Sequence, residues 1–398
     1  MVNGQSNNQD SVDLIKVKKH GRSIALQVLN YVGVLETPCG TRIEILPKIS
    51  DKQDSQATTK VLLKMLSTVH KLNLHRFENA ALQTLNRPLF EVLIGYFLNE
   101  ASDVIKKGVR SQYTRVQARK PYLKGQLQTS KQINQRPGCL NSFHISYDEF
   151  SSDRAENRLI RSALNQVMKW SKNSDNLRLG SELQFALDDI PCSKNYALDF
   201  RQWSKDRSLI HYRDVKPWCE LILSYQSPIS LLGGHNGISM LFPMESLFEQ
   251  YVALRLGKSL SHDLTLRTQA SSCALVTHKP LRGKSQQWFR LKPDIVVSDK
   301  TSHKPLYVAD TKWKRINEKQ ATVKQKYGIS QSDMYQMFAY GQNYLGGSGV
   351  VYIIYPAYEH FNSALPAFKF DDRLSVRAIP YDLISDECEL LDTPSIKQ

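Results

Sequence analysis

Between Ser23 and Ile49 the chain reads SIALQVLNYVGVLETPCGTRIEILPKI. Apolar and polar residues alternate there with the period of two that half-buried strands require, and Pro38-Cys39-Gly40 supplies a hairpin turn. Two helical stretches follow, at 58–76 and 87–107. In the second, Leu89, Val92, Leu93, Phe97 and Val104 recur near helical spacing. Residues 140–147 (LNSFHISY) predict a strand. Asp153 stands where it can cap a helix running from Ala155 to about Ser171, with Asn157 one turn inside. Residues 227–240 (SPISLLGGHNGISM) are the clearest Pro/Gly/Ser-rich break. Beyond it the pattern predicts a helix over 243–260 with Pro243 in its first turn, then two β-rich runs at 287–298 and 305–313. A second helix is predicted over 331–345 and a buried strand over 349–355. A hairpin pairing 289–297 with 305–312 joins the two β-rich runs. No internal repeat is visible.

This order predicts an α/β (α+β) chain in three parts: a polar tail over 1–14, an N-terminal mixed β/helical domain over 15–235, and a C-terminal domain over 236–398. The last has a central mixed sheet flanked by helices. A chain of 398 residues that is 41% hydrophobic can bury a sizeable core, which excludes disorder throughout. No run approaches the roughly 18 apolar residues of a membrane helix. The first residues have neither a basic nor an apolar segment and do not read as a signal peptide. Six cysteines, at 39, 139, 192, 219, 273 and 388, include no CxxC pair. Reduced thiols in a cytoplasm are expected, and zinc sites of the usual cysteine spacing are not.

Charge adds a partner class. The formal net charge is +15, which favours a polyanion through counterion release. The excess is concentrated. Residues 101–140 carry nine bases and one acid, with Gln112, Tyr113 and Tyr122 interleaved, and residues 279–315 carry ten bases and three acids. The last 28 residues run the other way, with seven acids and three bases.

The candidate chemistry lies in the second stretch: Pro293-Asp294 and, sixteen residues after Asp294, Asp310-Thr311-Lys312. On a strand, positions i and i+2 share a face, so Asp310 and Lys312 project together while Thr311 points away and offers its backbone carbonyl. The hairpin brings Asp294 alongside. Two hard oxygen anions suit Mg²⁺, and the lysine suits a phosphate oxygen or an attacking water. A surface ion pair between Asp310 and Lys312 is the plain alternative. The abutting apolar runs Ile295-Val296-Val297 and Leu306-Tyr307-Val308-Ala309 argue against it, because charge at the end of core strands is costly without a partner.

The region 243–355 resembles the PD-(D/E)xK nuclease superfamily. Its wording, LFEQYVALRL, LKPDIVV, VADTKWKRI and DMYQMFAYG, resembles the McrC family, the cleavage subunits of McrBC-type modification-dependent restriction systems. YVGVLETPCGTRIEILPKI and FHISYDEFSSDRAENRLIRSAL look similar to segments of the same family, so the likeness runs from about 15 to 370. The resemblance implies Asp294 and Asp310 as metal ligands, joined by the Thr311 carbonyl, and Lys312 as the catalytic lysine. The metal implied is Mg²⁺, with Mn²⁺ as a substitute. Glu249 matches the helix glutamate that helps hold metal-bound water, or is an exposed helix charge. Gln336 matches a glutamine that supports the site or the DNA backbone, or is a surface amide. Asp153 and Asn157 match a family segment, and a cap and a structural amide account for them equally. Tyr335 and Tyr340 read as core or helix-packing residues.

The resemblance also implies partners. These are a hexameric McrB-like AAA+ GTPase that uses the GTP, double-stranded DNA with modified cytosine, and a second nuclease subunit for double-strand cleavage. The N-terminal domain would dock on the motor and stimulate it. This chain itself has no GxxxxGK(S/T), HExxH, GxSxG or GxGxxG, which leaves nucleotide hydrolysis, zinc proteolysis, α/β-hydrolase and dinucleotide chemistry without support. Two other readings stand beside a restriction endonuclease subunit: a stand-alone repair nuclease, and a non-catalytic DNA-binding or GTPase-activating adaptor.

Overall fold

The structure, a computed structural model, describes residues 15–20, 23–28, 30–37, 39–49, 55–73, 88–136, 141–204, 206–224, 239–281 and 283–390. The chain forms two compact units. One is built from residues up to 71 and from 240 onward, the other from residues 72–239. The first begins with an antiparallel pair, β1 (Ile15–His20) and β2 (Ser23–Val28), and a second pair, β3 (Tyr31–Glu36) and β4 (Arg42–Ile45). The turn joining β3 to β4 contains Cys39-Gly40, where the sequence predicts it, with Gly40 in the left-handed region. Helix α1 (Ser55–His70) buries Val61, Leu62, Leu63, Met65 and Leu66.

The inserted unit contains α2 (Leu89–Lys106), β5 (Gln112–Lys120), β6 (Gln126–Leu127), α3 (Thr129–Ile133), β7 (Phe143–Ser151), α4 (Ala155–Trp170), α5 (Ser174–Ala186), α6 (Tyr196–Gln202) and α7 (Lys216–Ser224). Strands β5, β7 and β6 form one antiparallel sheet in that order. Helices α2, α4 and α5 pack together, and Glu91 of α2 is buried among them. Its carboxylate accepts from Ser171 Oγ at 2.7 Å, Lys172 N at 2.7 Å and Asn176 Nδ2 at 2.9 Å. Asn157 is a buried structural amide: it donates to the Arg110 and Ser152 carbonyls and accepts from Tyr212 Oη. Asp153 does not cap α4. The N-cap is Arg154 without a side-chain cap bond, and Asp153 pairs with Arg158 at 2.8 Å. The basic stretch 101–140 lies in this unit, and most of β5 is exposed.

The chain then returns to the first unit. Strand β8 (Ser239–Pro243) joins the N-terminal hairpin in the order β4-β3-β8. Gly33, at φ 130°, permits this: a Cβ there would lie 2.0 Å from the Met240 carbonyl oxygen. Next come α8 (Met244–Ser259), β9 (Leu264–Thr268), β10 (Ala274–His278), β11 (Gln286–Arg290), β12 (Ile295–Asp299), β13 (Pro305–Thr311), α9 (Gln331–Tyr344), β14 (Gly349–Pro356), β15 (Phe368–Lys369) and β16 (Leu374–Tyr381). Six of these strands form the central mixed sheet, in the order β15-β16-β14-β13-β12-β9. The β13–β14 and β14–β16 ladders are parallel, and the others are antiparallel. Strands β12, β13 and β14 read as continuous apolar runs because they are covered, and both α8 and α9 pack on β13.

Two expectations change here. The domain expected over 15–235 is divided, because β3 needs β8 as a neighbour and the apolar face of α1 needs α8 as cover. Lys64 of α1 adds an ion pair with Asp386 at 2.8 Å. Most of the expected boundary at 227–240 lies outside the described residues. The expected hairpin of 289–297 with 305–312 forms only from Ile295 onward, since Gln286–Arg290 pairs with β10 instead.

Candidate functional site

Strands β12 and β13 pair antiparallel, with Ile295 opposite Ala309. Extending that ladder by one position sets Asp294 against Asp310. Pro293 is buried and delivers Asp294 to the strand start. At the other strand's end, the Lys312 N–H donates to the Ile354 carbonyl at 2.9 Å, which holds the DTK segment against β14. Asp294, Asp310, Thr311 and Lys312 therefore meet at one end of the sheet.

Asp310 is 1% exposed, and its Oδ2 lies 2.5 Å from Lys312 Nζ. The shared face expected for positions 310 and 312 is present. Thr311 does more than expose its carbonyl. Its N–H and its hydroxyl both donate to Asp294 Oδ2, at 2.7 and 2.8 Å. The expectation that its side chain points away from the site is thus corrected: the hydroxyl locks the Asp294 rotamer.

The electrostatics follow from burial and like charge. Burial, then the neighbouring Asp294 charge, pushes the Asp310 carboxyl up to about 7, against the opposing pull of Lys312. Burial also raises Asp294, although the Thr311 hydrogen bonds favour its charged form. Burial disfavours the Lys312 ammonium, but Asp310, Asp294 and Asp333 overcome it and the pKa is raised. The site is a pair of carboxylates, Asp310 buried and Asp294 half-buried, with more negative charge than one lysine relieves.

Glu249, on α8, is half-buried. Burial raises its pKa, and it senses the charges of Asp294 and Lys312. Its Oε1 accepts from Gln269 Nε2 at 2.6 Å. Gln269, at φ 48°, also donates its N–H to the Asp294 carbonyl at 3.0 Å. It links the helix glutamate to the strand-end aspartate, a role no sequence motif announces. Glu249 and Gln269 line a cavity of about 1110 Å³ that also includes Lys258 and Lys300.

Gln336 has no direct bond to these carboxylates. Its amide donates to Tyr340 Oη at 2.7 Å, and that hydroxyl donates to the Lys292 carbonyl at 3.0 Å. It acts on the segment leading into Asp294. Tyr340 is buried as expected, while Tyr335 is 66% exposed and is not a core residue. Asp333, in the capping box that opens α9 with Ser330, also bears electrostatically on Asp310.

Among the described residues, no three His, Cys, Asp or Glu side chains converge as a metal cluster. The site offers two carboxylates and a nearby main-chain carbonyl. That donor set fits Mg²⁺, which binds through one or two carboxylates and keeps several waters. The surplus negative charge is what such a cation relieves.

Fold and site together define a mixed α/β domain with a carboxylate–lysine cluster at the end of its central strands. The sequence matches the model of the McrBC 5-methylcytosine restriction system component over residues 26–356, and the chain belongs to that family. Its fold is similar to that of a chain in the Thermococcus gammatolerans structure described as a refined half-complex from a tetradecameric assembly of McrB AAA+ hexamers with bound McrC. The two are 20% identical, the TM-score is 0.68, and the match covers 98% of this chain and 87% of that one. A cryo-EM structure of the Thermococcus gammatolerans McrBC complex matches at 22% identity and a TM-score of 0.48, over 64% of this chain and 74% of that one. No curated protein matches.

Proposed function

We propose that this chain is the DNA-cleaving, McrC-like subunit of an McrBC-type restriction complex. The observation that carries this is the convergence of Asp294, Asp310 and Lys312 at one end of the central sheet, with Asp310 buried beside Asp294 and paired with Lys312. Asp294 and Asp310, with the Thr311 carbonyl, hold Mg²⁺ (or Mn²⁺). When bound, the ion polarises phosphoryl oxygens and lowers the pKa of water near the scissile phosphodiester. Thr311 fixes Asp294 through two hydrogen bonds. Gln269 holds Glu249 toward the water that attacks. Lys312 stabilises the negative charge that develops on the phosphoryl oxygens, where a preorganised cation acts most strongly. Gln336 steadies the approach to Asp294 through Tyr340.

The substrate is double-stranded DNA containing modified cytosine, and two nuclease subunits cut the two strands. The motor is an AAA+ hexamer like the McrB named in the similar structure; it hydrolyses GTP, and the part of this chain that docks on it lies within residues 15–235. The complex works in the cytoplasm; among the described residues no helix is long and apolar enough to cross a membrane.

The test uses Asp310→Ala. Its complex with the GTPase should form and hydrolyse GTP at an undiminished rate, while Mg²⁺-dependent cleavage to 5′-phosphate and 3′-hydroxyl ends disappears. Undiminished cleavage would sink the site. No cleavage even by the wild-type complex would favour a non-catalytic adaptor. Cutting of plain DNA by the isolated chain would favour a stand-alone nuclease.

A further inference from the structure

Between the edge strand β9 and the catalytic strand β12, the chain leaves the central sheet and makes a separate two-stranded ribbon, β10–β11. All five residues of β11 and four of the five in β10 are exposed. An isolated hairpin is marginal in water and gains nothing by displaying apolar groups. Yet Leu275, Val276 and Leu281 are exposed, together with Trp288 at 40% and Phe289 at 70%. Trp288 pairs across the ribbon with Val276, and its ring lies 4.3 Å from that of His278 with the planes tilted by 46°. Phe289 sits at φ 56°, a left-handed backbone that a bulky residue rarely adopts.

The charge around these groups has one sign. Residues 270–293 contain five bases and no Asp or Glu. Lys279 and Lys284 are exposed near the tip, and Arg290 and Lys292 stand near the base. The base is fixed to the site. Leu291 N–H donates to the Cys273 carbonyl at 3.0 Å, Tyr344 Oη bonds the Ala270 and Leu291 carbonyls, and Tyr340 Oη bonds the Lys292 carbonyl. Asp294 stands four positions after Arg290, at most about 14 Å of chain.

We propose that this ribbon enters the major groove of duplex DNA beside the phosphodiester held at Asp294 and Asp310. Two strands about 4.8 Å apart, with their side chains, fill a groove about 12 Å wide and do not enter a minor groove about 6 Å wide. Lys279 and Lys284 neutralise phosphates, and the exposed apolar face meets base edges. Charge complementarity and continuity with the catalytic strand select DNA over a second copy of this chain. The proposal rests on the nuclease reading above, whose scissile strand gives the ribbon its place.

The experiment measures binding of a labelled 30-bp duplex to the full-length chain without divalent metal, across a salt series. Lys279→Glu/Lys284→Glu should weaken binding by roughly 10–100-fold and flatten the log–log salt slope by about two. Replacing Leu275–Phe289 with a Gly-Ser turn should do at least as much, and an unchanged melting temperature shows the rest of the chain folded. Equal affinity and slope for wild type and charge-reversed chain, or no duplex binding by wild type, would overturn the proposal. So would ribbon variants that lose self-association but keep DNA binding. Ribbon-dependent binding by a wild-type complex that never cleaves would sink the nuclease reading and leave the ribbon assignment standing.

Discussion

Replacing Asp310 with Asn removes a charge the fold disfavours and keeps its shape. The carboxyl's usual value of 3.8 rises to about 7 in the folded chain. A raised acid binds more protons when folded than when unfolded, so stability falls as pH climbs through the window from about 4 to 7 and stays low above it. At about 1.4 kcal/mol per tenfold, ionised Asp310 costs on the order of 4 kcal/mol above pH 7. The Asp310→Asn variant avoids that cost but leaves Lys312, which is partly exposed, without its partner. We expect a net gain of about 2 kcal/mol at pH 8, roughly 4–8 °C in melting temperature for a unit of this size. At pH 5, where folded Asp310 keeps its proton, the variant's advantage over wild type should be smaller than at pH 8 by about 2–3 kcal/mol. The assay is calorimetry in EDTA at pH 5 and pH 8, repeated at pH 8 with Mg²⁺, which should stabilise wild type and not the variant. A variant that melts below wild type at pH 8, or a wild type whose stability does not fall between the two pH values, would refute this account of the buried charge.

Other outcomes follow from the same geometry. Mg²⁺ affinity, measured by calorimetric titration, should weaken steadily below about pH 7, because protons compete for Asp310. Lys312→Met should reduce cleavage at least 100-fold in single-turnover assays while the fold persists. Gly33→Ala forces a Cβ against the Met240 carbonyl at a positive φ and should cost about 2–4 kcal/mol in chemical denaturation. Glu91→Ala removes the carboxylate that accepts from Ser171 Oγ, Lys172 N and Asn176 Nδ2 in the inserted unit and should cost about 3 kcal/mol by the same measurement.

The C-terminal elements were legible because local pattern determines them. Apolar runs mark β12, β13 and β14, and helical spacing marks α9. The DTK face followed from strand periodicity alone. Thr311's grip on Asp294 was not legible, since it depends on the register between two strands. Gln269 carries no motif: its role arises from a left-handed turn that swings its amide toward α8. The pairing of β3 with β8 spans two hundred residues and leaves only Gly33 as a local trace. The short strands β9 and β10 were missed because nothing alternates in their mixed sequence, and β11 was read as one run with β12.

That long-range pairing sets an order of events during synthesis. Strand β3 and helix α1 leave the ribosome first, but their partners β8 and α8 emerge only after the whole inserted unit has been made. At roughly 5–20 residues per second, the wait is on the order of ten to thirty seconds. The inserted unit can fold as soon as it emerges, while the N-terminal segment stays open with an unpaired strand edge and an uncovered apolar helix face. The carboxylate cluster forms late, so a nascent chain holds no assembled carboxylate–lysine site until most of the chain has been made.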